Sequence, residues 1–262
     1  MRWKKTDPKI RNEAEEVLRG HNAWRLPVDP LAIAEEEGIY LSPGTFSGRF
    51  DGRIKYLPDV GVFSLAYREP GPGRPQGRVN FTVAHELGHY FLHGDYLRSG
   101  KSHGSESNFR SQDRMEREAD EFAVHLLMPF ELFKVEFASS VAGLDLPDLV
   151  RLSERLGTSV TSTILRVCNA GTQVMTAVFS EDGRVRWACA SPEMEEAGMS
   201  FVRPGSRVPP GSVTHGASGP AEGAVEPYCW FDRSSYDGEL WEECMPLGRG
   251  RFVTCLSPVE NL

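Results

Sequence analysis

The sequence predicts an α+β protein in which a small sheet and several helices come first and a β-rich region follows. Three observations carry this. Residues 81–93 and 114–128 hold apolar side chains at helical spacing. Residues 54–57 and 62–67 are short β-prone runs joined by Pro-Asp-Val-Gly. After Gly171 the pattern becomes one of strands. At 262 residues and 40% hydrophobic, the chain can bury a real core, and its length suits one large domain or two smaller ones.

Taken in order, residues 9–19 place Ile10, Ala14, Val17 and Leu18 on one helical face, and Asp29-Pro30 opens a second short helix over 30–37. Both read as surface helices. The hairpin leads through a Gly/Pro loop at 70–77 to Asn80, a good N-cap. The helix that follows runs from Phe81 to His93, about 20 Å, with Gly94 placed to stop it. A polar loop over 98–113 precedes the helix 114–128, which Pro129 ends. The reading stays helical from Glu131 to Asn169, with 146–166 forming two helices joined near Gly157. Strands then cover 173–180 and 185–190 around an Asp182-Gly183 turn, with further runs near Tyr228, Leu240 and Phe252. The Gly/Pro-rich stretch 203–223 reads as a long connection inside that region. The division expected is 1–130, 131–170 and 171–262.

A net charge of −8 and a pI near 5.5 work against broad phosphate-backbone binding, so nucleic acid is not an expected direct partner. The start, Met-Arg-Trp-Lys-Lys, lacks the apolar core of a signal peptide, and no later run approaches the roughly 20 apolar residues of a membrane span. A cytoplasmic location is the expectation. Five cysteines, all beyond residue 167 and without C-x-x-C spacing, suit free thiols better than a disulfide framework.

The stretch FTVAHELGHYFLHG, residues 81–94, concentrates polar chemistry in an apolar run. On a helix, residues four apart differ in direction by about 40°, so His85 and His89 project side by side and can reach one ion. Glu86 lies about 60° from His89, beside such an ion without ligating it. This is the general-base position of H-E-x-x-H metallopeptidases. An accidental pair on a solvated face is the plain alternative. Flanking Phe81, Ala84, Leu87, Phe91 and Leu92 argue against it, because unpaired imidazoles beside that surface are costly. Gly88, unfavourable in a helix interior by about 1 kcal/mol, fits close approach of a neighbouring backbone. His93 reads as a residue of the last turn bonding free carbonyls, ahead of a ligand role.

A catalytic zinc usually takes three protein ligands. The pattern H-E-x-x-H-x-x-G-x-x-H would need Gly at 92 and a ligand at 95, but position 92 is Leu, which disfavours Asp95. In the helix over 114–128, Met115, Ala119, Phe122, Ala123, Leu126 and Leu127 form one apolar arc. Glu116 falls inside that arc, Glu118 just outside it, and Glu121 and His125 on the opposite side. A carboxylate on the core face needs a partner, and a metal held by the other helix is a strong one, so Glu116 is the expected third ligand. Asp120, one turn on, either accepts the outer N–H of a ligating histidine or is an exposed helix carboxylate. Zinc is the expected ion; manganese or another divalent ion also suits an N/O site.

The run FTVAHELGHYFLH, followed after a polar loop by EREADEFAVHLLMP, resembles the ImmA/IrrE metallopeptidases, and residues 26–34 and 37–40 also look like that family's N-terminal helices. The similarity covers roughly residues 10–130. It implies a zincin-like core in which His85, His89 and Glu116 bind zinc and Glu86 is catalytic, in agreement with the spacing. It also implies a cytoplasmic peptidase that cuts helix-turn-helix repressors and relieves repression of stress-response or mobile-element genes. Residues 146–166 resemble the helix-turn-helix-like helices that follow the core in some members. Their second helix carries only Arg166 as a base, which favours packing or substrate docking over DNA reading. Some members end in a sensor-like domain of the GAF type; residues 171–262 have the strands but little room for its helices. A structural or docking domain is the plainer reading, and a small-molecule signal site the alternative.

The substrate is expected to enter extended, pairing with an exposed edge of the strand 62–67. Glu86 is expected to take a proton from the attacking water and return it to the leaving amine. The competing class is a non-enzymatic regulator or sensor that keeps the zinc-binding scaffold. A DNA-binding regulator is disfavoured by the acidic balance.

Overall fold

Two aspartates set the first two helices. In α1 (Pro8–Gly20) the Asp7 side chain accepts from Lys9 N, and in α2 (Pro30–Glu36) Asp29 accepts from Leu31 N and Ala32 N. Each is followed by a proline, whose missing N–H costs nothing at that position. α1 buries Ile10, Ala14, Val17 and Leu18, the face its spacing predicts. These elements belong to a computed structural model that describes residues 7–46, 51–71, 75–99, 114–140 and 145–259. Beyond Ser99, the polar loop predicted over 98–113 lies outside them.

Strands β1 (Tyr40–Gly44), β2 (Gly52–Leu57) and β3 (Val62–Arg68) form a sheet of order β1-β3-β2, with β1 parallel and β2 antiparallel to β3. β1 is absent from the predicted strands because its sequence, YLSPG, contains Pro and Gly and buries no residue fully. The strand order corrects one expectation. β3 is the central strand, paired on both sides, so it has no edge to offer a peptide; the edges belong to β1 and β2.

The helix carrying the histidines, α3, spans Gln76–Arg98 and is longer than predicted. Pro75, in extended geometry, precedes it, and Asn80 is interior. The Asn80 amide donates to Gly157 O at 2.8 Å and accepts from Gln76 Nε2 at 2.9 Å, so it ties two segments together instead of capping. The stop expected at Gly94 falls at a kink where two helical segments meet. His93 departs from helical geometry, with φ −128° and ψ 21°, and the chain continues helically beyond this kink to Arg98.

Helix α4 (Arg114–Leu127) packs against both α3 and α1. Its arc of Ala119, Phe122, Ala123, Leu126 and Leu127 is fully buried. Packing on both sides also buries His125, which the arc places on an outer face. Between α3 and α4 the Phe91 and Phe122 rings stack with centroids 5.8 Å apart. Their backbones approach closely at Gly88, where a Cβ would stand 2.9 Å from the Cα of Ala119. Helices α5 (Phe130–Ser140), α6 (Leu146–Leu156) and α7 (Val160–Ala170) follow, with Gly157 turning between the last two at φ 63°.

The C-terminal strands are β4 (Thr176–Glu181), β5 (Arg184–Ala190), β6 (Ala221–Val225), β7 (Leu240–Pro246) and β8 (Arg251–Pro258), with one short helix, α8 (Pro192–Glu196), after β5. They form an antiparallel sheet of order β5-β4-β8-β7-β6. Asp182 and Gly183, both at positive φ, make the predicted turn. The run near Tyr228 is a 3₁₀ turn, Pro227–Cys229, because Pro227 cannot donate to a ladder; the strand lies just before it. Val178, Val185, Met194, Met199, Phe231, Leu240 and Leu256 pack as its core.

The chain divides into two compact units. One comprises Lys5–Glu136 with Ser153–Ser159, the other Phe137–Leu152 with Val160–Leu262, so residues 131–170 contribute to both. All five cysteines are free thiols. Among the described residues no helix is long and apolar enough to cross a membrane.

Alanine is the better helix former by about 1 kcal/mol, yet Gly88→Ala is expected to destabilise the protein by about 1–3 kcal/mol, because the added methyl meets backbone that cannot rotate away. Urea unfolding checks this, and a midpoint at or above wild type contradicts it.

Candidate metal centre

His85 and His89 stand on successive turns of α3, 2% and 0% exposed, with ring centroids 4.8 Å apart. Glu116, in the first turn of α4, reaches both: Oε2 is 3.2 Å from His85 Nε2, and Oε1 is 3.3 Å from His89 Nε2. The two Nε2 atoms are themselves 3.2 Å apart. Among the described residues this is the one group of three such side chains whose donor atoms all lie within 4.8 Å of one another. Asp95, the disfavoured alternative, is fully exposed beside Arg98.

The protons decide what this cluster can hold. His85 Nδ1 lies 2.8 Å from Asp120 Oδ1, so its hydrogen belongs on Nδ1, where a carboxylate accepts it. Nε2 then presents a lone pair. Two imidazole lone pairs and two carboxylate oxygens facing one another in a buried space repel unless a positive charge sits among them. In the metal-free chain a proton supplies it. Burial pulls the His85 pKa down, but bonds to Asp120 and Glu116 and the charges of Asp120 and Glu86 outweigh it and push the value up to about 10. Burial raises the Glu116 pKa, and the bonds from His85 and His89 overcome that, holding its carboxyl well below the usual range. A buried set of two nitrogens and one carboxylate fits a divalent cation with a position left open.

Glu86 is fully buried next to His85 and accepts a hydrogen bond from Ile54 N at 2.9 Å. Strand β2 passes so close to α3 that a Cβ on Gly52 would stand 2.4 Å from Thr82 Cγ2 and 3.3 Å from Glu86 Oε1. Only glycine leaves room for that approach. Because β2 is an edge strand, Glu86 lies at an edge that has no further strand among the described residues.

His93 stands where the first helical segment of α3 ends, and its ring meets two side chains. Its Nδ1 lies 3.2 Å from His89 Nδ1 and its Nε2 lies 3.0 Å from Glu118 Oε2, while Glu118 Oε1 accepts from Arg114 Nε at 2.6 Å. The spacing 85, 89, 93 puts three histidines in one stripe, and that stripe is the signal in the sequence that could have found this contact. Gly52 and Ile54 carry no comparable signal, since their roles are those of backbone.

Proton and metal compete for His85. Its raised pKa means that the charged imidazole stabilises the metal-free fold fully below about 6.5, and that this contribution is lost as pH rises through about 10. Apparent affinity for a divalent ion is therefore expected to fall about tenfold per pH unit below about 10, with about one proton released per ion bound near neutrality. Chelator competition at several pH values and calorimetry in buffers of differing ionisation enthalpy check this; a pH-independent affinity contradicts it.

Residues 72–167 match the family Peptidase_M78, the IrrE N-terminal-like domain. No match was found among curated proteins. Among solved structures the chain is similar to a Mycobacterium tuberculosis transcriptional regulator, at 14% identity and a TM-score of 0.59, over 96% of this chain and 76% of that one. At that identity the likeness speaks to the fold. The family match covers both helices that build the centre, and it assigns this part of the chain, residues 72–167, an ImmA/IrrE-type domain with a zincin-like core.

Proposed function

We propose that the protein is a zinc-dependent endopeptidase that hydrolyses a peptide bond in a helix-turn-helix transcriptional repressor, within a cytoplasmic stress-response or mobile-element switch. The observation that carries the hydrolytic reading is Glu86, a buried carboxylate beside the His85, His89 and Glu116 cluster and against the edge strand β2. The repressor as substrate rests on the family resemblance, and the acidic balance of the chain favours a protein over DNA as the direct partner.

His85, His89 and Glu116 hold the ion, and Asp120 keeps the Nδ1 hydrogen of His85 in place. Zinc, when bound, supplies Lewis acidity that polarises the scissile carbonyl and lowers the pKa of water to about 7. A substrate segment pairs in extended form with the edge of β2, where backbone groups of alternate residues face outward. That pairing competes for the Ile54 N–H and frees Glu86 Oε2. Glu86 takes the proton of the attacking water and gives it to the departing amine, so the base ends the cycle as it began.

A second reading, a regulator that keeps the metal scaffold without cleaving, draws on the name of the structural neighbour, a transcriptional regulator. The two separate in one experiment. The zinc-loaded protein incubated with a helix-turn-helix repressor is expected to yield two fragments; a stable complex without fragments favours the regulator. Glu86→Gln is expected to keep its zinc and lose about 10²–10⁴-fold in cleavage rate, whereas His85→Ala and Glu116→Ala lose the metal. Full zinc occupancy in Glu116→Ala removes Glu116 as a ligand.

A further inference from the structure

His85 and His89 are alike as donors but not in what stands behind them. Asp120 backs the outer nitrogen of His85 directly. Behind His89 Nδ1, at 3.2 Å, stands the Nδ1 of His93, a side chain 9% exposed whose far nitrogen meets Glu118 at 3.0 Å. Each proton along this line is determined by its neighbours. His89 can offer Nε2 to an ion as a neutral imidazole only with its hydrogen on Nδ1. That hydrogen needs an acceptor, so His93 Nδ1 is bare and the His93 hydrogen lies on Nε2. Glu118, an acceptor only, takes that hydrogen on Oε2 and is anchored by Arg114 on Oε1. The opposite tautomer of His93 would set two N–H groups against each other and leave a ring lone pair facing a carboxylate.

The geometry points to His93 and Glu118 as an outer arm that fixes the tautomer and orientation of His89, a relayed counterpart of the direct Asp120 contact on His85. This rests on the reading of the centre as a metal site. The kink serves it: the rings of His89 and His93 stand 5.3 Å apart, tilted by 48°, where the backbone at His93 leaves helical geometry. His93 and Glu118 are positioning residues, since both act through His89.

The test reads zinc affinity by chelator competition and the visible spectrum of the cobalt-loaded protein. His93→Ala and Glu118→Ala are each expected to weaken zinc binding about 10–100-fold and to shift the cobalt bands. His93→Gln, whose amide can accept from His89 and donate to Glu118, is expected to stay within a few-fold of wild type and keeps the test readable if the alanine variant misfolds. Because Glu118 acts through His93, the double variant His93→Ala/Glu118→Ala is expected to bind no more weakly than His93→Ala alone. Wild-type affinity and spectrum in His93→Ala, or losses that simply add in the double variant, overturn the arm and leave the metal centre standing. A wild-type chain that binds no zinc overturns the centre, and the arm with it.

Discussion

Everything in the centre depends on how near α4 lies to α3, and that distance is set where Gly88 meets Ala119. Backbone against backbone is the tightest packing two helices have, and it brings the first turn of α4 to the histidines. Glu116 touches both rings only because the helix it rides on has no side chain to clear. The stacked Phe91 and Phe122 and the fully buried arc of α4 hold that spacing from the apolar side. The same closeness sets Asp120 behind His85 and Glu118 behind His93. One missing methyl thus positions three carboxylates.

Charge is the second constraint, and it explains why these groups tolerate burial. Glu86, Glu116 and Asp120 are removed from water around two imidazoles, an arrangement with more acceptors than hydrogens to share. A positive charge offsets it, a proton on His85 below about pH 10 or a divalent ion. The metal-free protein is therefore already shaped for the cation.

Much of this was legible in the sequence because it rests on periodicity. The four-residue spacing of His85 and His89, the place of Glu116 within an apolar arc, and Gly88 as a point of close approach are all statements about side-chain direction on a helix. What escaped the sequence depends on backbone and partners. β1 has no strand-like composition; it exists because β3 offers it a neighbour. Asn80 looks like a cap but is occupied by Gly157, a residue far along the chain. His93 and Gly94 sit at a kink that local signals render as an end. The strand order, which makes β3 central, follows from long-range pairing and has no short-range trace.

The order β1-β3-β2 has a consequence for whatever meets Glu86. An edge strand gives its hydrogen bonds only to a chain that is itself extended. A helix satisfies its own backbone groups and has none to spare. Under the proposed hydrolysis, a target made mostly of helices would be attacked in a linker, or at a helix that has frayed. Susceptibility would then follow how often that part of the target opens, and a partner could protect or expose it without touching this protein at all.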